Sequence, residues 1–210
     1  MVPACFITLT GASGEDENAS ASEDLDIGKN LTIQGAGPRR TIIDGGFIDR
    51  VFDVFAPATV TLADVMIRHG RADGGHRRGG GIRNAGTLML NRVIVRINSA
   101  SNGAEGNGGI ANEGTLAVVE SAIEDNSSSP LAAAGGILNS GLLTFTRSTV
   151  SRNRAFGFRK GTTGGILNSG TLVLVDSTVS DEEIGVVLAT IYARVRRLLR
   201  RRGPAADVCA

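Results

Sequence analysis

From residue 51 to residue 180 the chain repeats one pattern of apolar and polar positions. Within each repeat, apolar positions alternate with polar ones, the period of a β-strand with one buried face. Aligning Thr59, Thr87, Thr115, Leu142 and Thr171 places like residues in columns. One apolar column reads Val54, Ile82, Ile110, Ile137 and Ile166, and a second Val60, Leu88, Leu116, Leu143 and Leu172. A third reads Leu62, Leu90, Val118, Phe145 and Leu174, and a fourth Ile67, Val95, Ile123, Val150 and Val179. The rows are offset by 28, 28, 27 and 29 residues (87 − 59, 115 − 87, 142 − 115, 171 − 142). A fixed offset of about 20–50 residues is the mark of a stacked repeat, in which one unit cannot bury its apolar face without its neighbours.

The alternation breaks once per row, after the third column. Two positions that cannot both point inward are followed by Val65, Val93, Ser121, Ser148 and Ser177. A parity switch of this kind marks a corner. Each row therefore predicts three short strands with bends between them and a glycine-rich loop back to the next row. Stacked rows form parallel sheets with strands ~4.8 Å apart. The expected fold is all-β, a parallel β-helix with three short strands per turn.

Leu25-Asp26-Ile27, Leu31-Thr32-Ile33 and Thr41-Ile42-Ile43 read as a first, irregular turn, as terminal repeats commonly are. The register ends near Ser180. Ile184, Val187, Leu188, Ile191, Val195, Leu198 and Leu199 then follow a helical spacing. Asp181, Glu182 and Glu183 suit the start of a helix, and Arg200, Arg201 and Arg202 its end. The expected organisation is an N-terminal segment with an acidic loop (1–24), a β-helix (25–180), a basic amphipathic α-helix (181–203) and a tail (204–210). The helix is expected to cap the last turn's open core; membrane or nucleic-acid contact through its arginines, or a tail out of frame with its natural continuation, are the alternatives.

Composition narrows this picture. The 210 residues include 29 glycines that recur with the repeat, aromatics make up 4 %, and tryptophan is absent. The core must be built from Ile, Leu and Val. Net charge is +1, so overall charge selects no partner. Cys5 and Cys209 are too few and too far apart for a disulfide framework or a metal site, and read as thiols. The acidic loop from Gly11 to Asp24 matches no calcium-loop spacing and reads as a solvated turn. No apolar run approaches the ~20 residues of a membrane span. Met1 to Thr10 lacks the basic start and apolar length of a signal peptide.

Two asparagine columns are the most regular polar features. Asn84, Asn112, Asn139 and Asn168 follow an inward isoleucine, and Asn98, Asn126 and Asn153 close the third strand. Buried amides stacked on their counterparts form structural ladders. Ala56 and Gly70 are expected to take their places in the first regular row. At the corner, Asp64, Arg92, Glu120, Arg147 and Asp176 alternate in sign, so that each would meet an opposite charge above and below.

Variation concentrates in the connecting loops, 71–79, 99–107, 126–134 and 153–163. Two are basic. The first carries Arg71, His76, Arg77 and Arg78, and the last Arg154, Arg159 and Lys160 with Phe156 and Phe158. Loops on one side of a solenoid commonly carry binding, and a basic, aromatic set suits an acidic polysaccharide, with another surface protein as the alternative partner. No metal or cofactor is expected.

Gly164 to Ser180 and Gly135 to Asn153 resemble the right-handed parallel β-helix repeats of bacterial secreted and surface proteins, whose running text is close to GGGI-x-N-x-GTLTL-xx-STVS-x-N. Leu31 to Gly37 and Arg50 to Val54 look like the opening coils of the same proteins. The resemblance covers roughly residues 25–180 and implies the pectin-lyase-like fold and an extracellular or cell-surface, adhesin-like role. That fold also includes polysaccharide lyases and hydrolases, which need clustered acids with a basic residue. Here His69 and His76 are the only histidines and no aspartate cluster repeats on one face, so the expectation is a non-catalytic scaffold, with the carbohydrate-active enzyme as the alternative.

Overall fold

In the computed structural model the described residues are 5–8, 24–73, 78–101, 106–128, 134–156, 163–180, 187–188, 191–194 and 197–198. They form parallel sheets stacked into a β-solenoid. Sheet I holds Leu25–Ile27, Phe52–Val54, Ile82–Asn84, Ile110–Asn112, Ile137–Asn139, Ile166–Asn168 and Val187–Leu188. Sheet II holds Leu31–Gln34, Thr59–Ala63, Thr87–Asn91, Thr115–Val119, Leu142–Thr146, Thr171–Val175 and Ile191–Arg194. Sheet III holds Cys5–Thr8, Thr41–Asp44, Met66–Arg68, Ile94–Arg96, Ala122–Glu124, Thr149–Ser151, Thr178–Ser180 and Arg197–Leu198. A regular coil visits the sheets in that order and then climbs one storey.

The sequence predicts three strands per turn; four of the coils have a fourth. Arg71–Asp73, Ser99–Ser101, Ser127–Ser128 and Arg154–Ala155 pair in parallel as sheet IV. These residues open the segments read as loops. Their alternation was too short to see, being only two or three residues long, but the buried column Ala72, Ala100, Ser128 and Ala155 gives each strand an inward side chain. The helix expected over 181–203 falls largely outside the described residues. The short strands at 187–188, 191–194 and 197–198 pair with the last regular coil. Among the described residues no helix is long and apolar enough to cross a membrane.

The interior is a stack of aliphatic layers. Ile82, Ile110, Ile137 and Ile166 are fully buried and paired in register, as are Leu88, Leu116, Leu143 and Leu172 to within 1 %. Each such side chain removed from water stabilises the fold by about 1.5–3 kcal/mol. One column differs from the expectation. Phe52, not Val54, lies under Ile82, and Val54 lies under Asn84. The turn from Phe55 to Ala58 is longer than its counterpart Ala85-Gly86, so strands on either side of it are offset differently from the next row. Val54 rather than Ala56 therefore ends the first asparagine ladder, and the Asn84 Oδ1 it faces has no partner. Gly70 does occupy its expected place, its N–H donating to Asn98 Oδ1 at 2.8 Å.

Both asparagine ladders form. Nδ2 of Asn84, Asn112 and Asn139 donates to Oδ1 of the asparagine one coil on, at 2.7, 2.7 and 2.5 Å. Asn98 and Asn126 donate likewise to Asn126 and Asn153, at 2.9 Å each. The second ladder also accepts backbone donors, with Asn98 N to Asn126 Oδ1 and Asn126 N to Asn153 Oδ1 at 3.0 Å. A serine ladder accompanies them: Val93, Ser121 and Ser148 donate backbone N–H to the hydroxyls of Ser121, Ser148 and Ser177. Gly114, Gly141 and Gly170 are glycine because coils meet there; a Cβ at any of them would collide with the carbonyl oxygen of the glycine one coil back.

The corners are made by left-handed backbone. Asp64, Arg92, Glu120, Arg147 and Asp176, the column at the parity break, all have φ between 49° and 56°. A second left-handed column, His69, Ile97, Asp125 and Arg152, turns sheet III into sheet IV. Arg92 Nε reaches Asp64 at 2.7 Å and Arg147 reaches Glu120 at 2.7 Å, as the alternating signs predict. In the second column Arg152 bonds Asp125 at 2.9 Å. Ile97 is the exception, since a β-branched side chain is penalised by about 1–2 kcal/mol in this conformation, whereas asparagine tolerates it. Ile97→Asn is expected to raise unfolding stability by about 1 kcal/mol in denaturant titration; a loss of stability would show that the side-chain contacts of Ile97 outweigh its backbone strain.

Candidate functional site

Two places on the exterior gather chemistry-bearing side chains. The first is the outer face of sheet IV. Register there is set by the coil below, so Arg71, Ser99, Ser127 and Arg154 form one outward column. Strand spacing of ~4.8 Å puts the two arginine positions about 14 Å apart along the solenoid axis. Phe47 and Phe156 flank the column, 44 % and 51 % exposed. Together they border an open groove of ≈ 300 Å³ over Ser99, Ala100, Ser101, Ser127 and Ser128.

Phe47 is held in place from behind. It has φ 59° and its ring stacks on His69 at 4.5 Å and 26°. His69 Nδ1 lies 3.0 Å from Asp44 Oδ1, and Arg68 Nε donates to Asp44 Oδ2 at 2.8 Å. Burial opposes ionisation of Asp44. The Gly46 N–H, the Arg68 guanidinium and His69 outweigh it and hold the carboxyl below its ordinary range.

The second place is the outer side of sheet I in the first coils. Asp24, Asp26 and Asp53 bring carboxylate oxygens within 4.8 Å of one another. Arg50 Nε reaches Asp24 at 2.7 Å and its Nη1 reaches Asp53 at 3.3 Å. Arg83 joins Asp53 at 3.2 Å to Glu113 at 2.9 Å, and Arg78 reaches Glu113 at 3.4 Å. Burial, reinforced by Asp26, Asp49 and Asp53 and opposed by Arg50, pushes the Asp24 carboxyl up to about 7. Burial also raises Asp53, against Arg50 and Arg83. Three carboxylates so close have the donor chemistry of a hard-cation site, but the guanidiniums of Arg50 and Arg83 already engage two of them. The arrangement is a partly buried ion network joining the first four coils.

No family model, curated protein or solved structure matches the chain. The functional reading therefore rests on the exterior itself.

The residues singled out from sequence divide clearly. Arg71 and Phe156 border the groove, and Arg154 stands in register with Arg71. Arg78 faces the other way, into the ion network. His76, Arg77, Phe158, Arg159 and Lys160 lie outside the described residues. Asn84, Asn112, Asn139, Asn168, Asn98, Asn126 and Asn153 are buried ladder members that do not reach the surface. Sequence reasoning missed Phe47, Ser99 and Ser127, whose role depends on sheet IV. It also missed the acid cluster, because aligning Val54 with Ile82 set Asp53 two positions away from Arg83, on which it stacks.

The acid cluster carries a pH signature. Folding raises the Asp24 carboxyl from an ordinary 3.8 to about 7, so the native state keeps a proton that the unfolded chain releases between those values. Its contribution is complete below about pH 4 and is lost as pH rises toward 7. Denaturant midpoints are expected to fall from pH 5 to pH 8 in the parent protein and to fall less over that range in Asp24→Asn. A parent protein with no such fall would show that Asp24 folds as a charged partner of Arg50.

Proposed function

We propose that the protein is a non-catalytic β-solenoid scaffold that binds an acidic polysaccharide across the outer face of sheet IV. The observation that carries this reading is the in-register column Arg71, Ser99, Ser127 and Arg154 between two exposed phenylalanines. Guanidinium groups bond carboxylates in a planar, two-pronged geometry. Serine hydroxyls both donate and accept, and exposed aromatic rings offer flat apolar surface to the C–H faces of sugars. The column runs along the solenoid axis, so an extended polymer lies across the strands, with an acid group over each arginine. The openness of the groove suits a polymer passing through it rather than a small molecule held inside it. An extracellular or surface, adhesin-like setting follows from the resemblance of the repeats to those of bacterial secreted and surface proteins.

The enzymatic alternative draws on Asp24, Asp26 and Asp53. Asp24 and Asp53 are buried to 7 % and 4 % or less exposure and are committed to arginines, which favours a structural part for them. The arginine-rich stretch after residue 194 falls largely outside the described residues and supports neither reading.

Titration calorimetry with oligogalacturonates and with neutral glucan oligomers of equal length tests the proposal. The acidic oligomers are expected to bind and the neutral ones not. Arg71→Ala and Arg154→Ala are each expected to weaken binding about tenfold, the size of one hydrogen bond to a charged group. Equal binding of both oligomers, or affinity indifferent to both substitutions, would overturn it.

A further inference from the structure

The outer face of sheet II differs from every other outer face of the solenoid. Sheet I presents Asp26, Asp53 and Arg83; sheet III presents Arg68, Arg96 and Glu124; sheet IV presents Arg71 and Arg154. Of the seven sheet II strands, the first six, from Leu31–Gln34 to Thr171–Val175, contain no charged residue, and the seventh, Ile191–Arg194, ends on Arg194. The whole chain is 20 % charged, so charge is selectively excluded from the face that these six strands make. Its outward positions hold threonines, among them Thr59, Thr87 and Thr115, and apolar residues that include Met89 and Leu142. Met89 and Leu142 are 43 % and 42 % exposed, large apolar side chains open to solvent two strands apart.

We propose that this face is the interface through which two copies of the chain associate, sheet against sheet. The occupant is a second copy because the face is compatible with itself. Under two-fold symmetry each patch meets its own image, and a patch without charge sets no like charges together and strands no ion in a dry interface. The backbone groups of the central strands are already paired with the coils above and below. Closing the face therefore desolvates threonine hydroxyls, which can bond to one another across it, and at its margin the Gln34 and Asn91 amides.

Size agrees with this occupant. Five strands of five residues and one of four, at ~3.3 Å per residue and ~4.8 Å apart, present a flat face of about 460 Å² before side-chain relief is counted. Stable interfaces take about 800 Å² of accessible surface per partner, which a pleated face of this extent approaches. The charged corner directly after the strands, Asp64, Arg92, Glu120 and Arg147, supplies the polar rim that protein interfaces carry around an apolar centre. The sheet IV groove is built from other strands, so the dimer leaves the proposed polysaccharide face open.

Sedimentation velocity of the full chain across a hundredfold concentration range tests the proposal. The parent protein is expected to sediment as a dimer at the upper end. Met89→Arg, and independently Leu142→Lys, are expected to give monomers with an unchanged β-type circular dichroism spectrum, since both side chains stand in solvent in the single chain. Thr149→Lys, on the outer face of sheet III, is expected to leave the dimer intact. A parent protein that is monomeric throughout, a dimer that survives both sheet II substitutions, or one that Thr149→Lys dissociates equally would each overturn the proposal.

Discussion

Every interior coil of this molecule hydrogen-bonds to the coil above it and the coil below it, in register and in the same direction. That constraint governs the rest. A parallel, in-register stack places each side chain on its own counterpart at strand spacing, so a residue type is acceptable only if it stacks well on itself. Aliphatic side chains do so by dispersion and burial. Among polar residues the requirement is stricter, because a buried donor must find an acceptor one storey away. Asparagine meets it with an amide that donates upward and accepts from below. Serine meets it with a hydroxyl that accepts a backbone donor from the neighbouring coil while donating to a carbonyl of its own. Charged residues meet it at the corners by alternating in sign, and in the first coils by pairing buried carboxylates with Arg50 and Arg83.

The bends follow from the same constraint. A coil must turn at the same place in every storey, so the left-handed corner recurs as a column rather than as an isolated residue. Outside, these corners carry Asp64 with Arg92, Glu120 with Arg147, and Asp125 with Arg152. Exposed pairs contribute only about 0–1 kcal/mol each. Their larger consequence is for register, since slipping one coil would set like charges together. Buried ladders and exposed charge columns thus specify the same alignment, one from inside the stack and one from outside.

Much of this was legible in the residues because the repeat writes it several times. The columns through Leu88 and Val95, the parity break at Arg92 and both asparagine ladders lie where the spacing puts them. What stayed hidden was written once or written short. Sheet IV has strands of two or three residues, below the length at which alternation can be read. The longer turn at Phe55 to Ala58 changes the offset in one row only, and a single alignment carried through that row misplaced Val54 and hid the stacking of Asp53 on Arg83. The candidate binding face was half legible. Arg71, Arg154 and Phe156 stood out as basic and aromatic loop residues, but the serines between them and Phe47 from an earlier coil join them only once sheet IV is known.

The central claim is that neighbouring coils are locked in one register, and cysteine pairing across sheet II tests it most directly. In a chain whose Cys5 and Cys209 are replaced by serine, Thr115→Cys with Leu142→Cys joins exposed positions that are direct partners. Their spacing of ~4.8 Å falls within the Cα separation a disulfide accepts. Thr115→Cys with Thr144→Cys uses the same outward face but is offset along the strand, to about 8 Å, beyond that reach. Mild oxidation of the folded protein is predicted to close the first pair nearly completely and the second hardly at all. Closure of the second in preference to the first would contradict the register on which the whole stack is built.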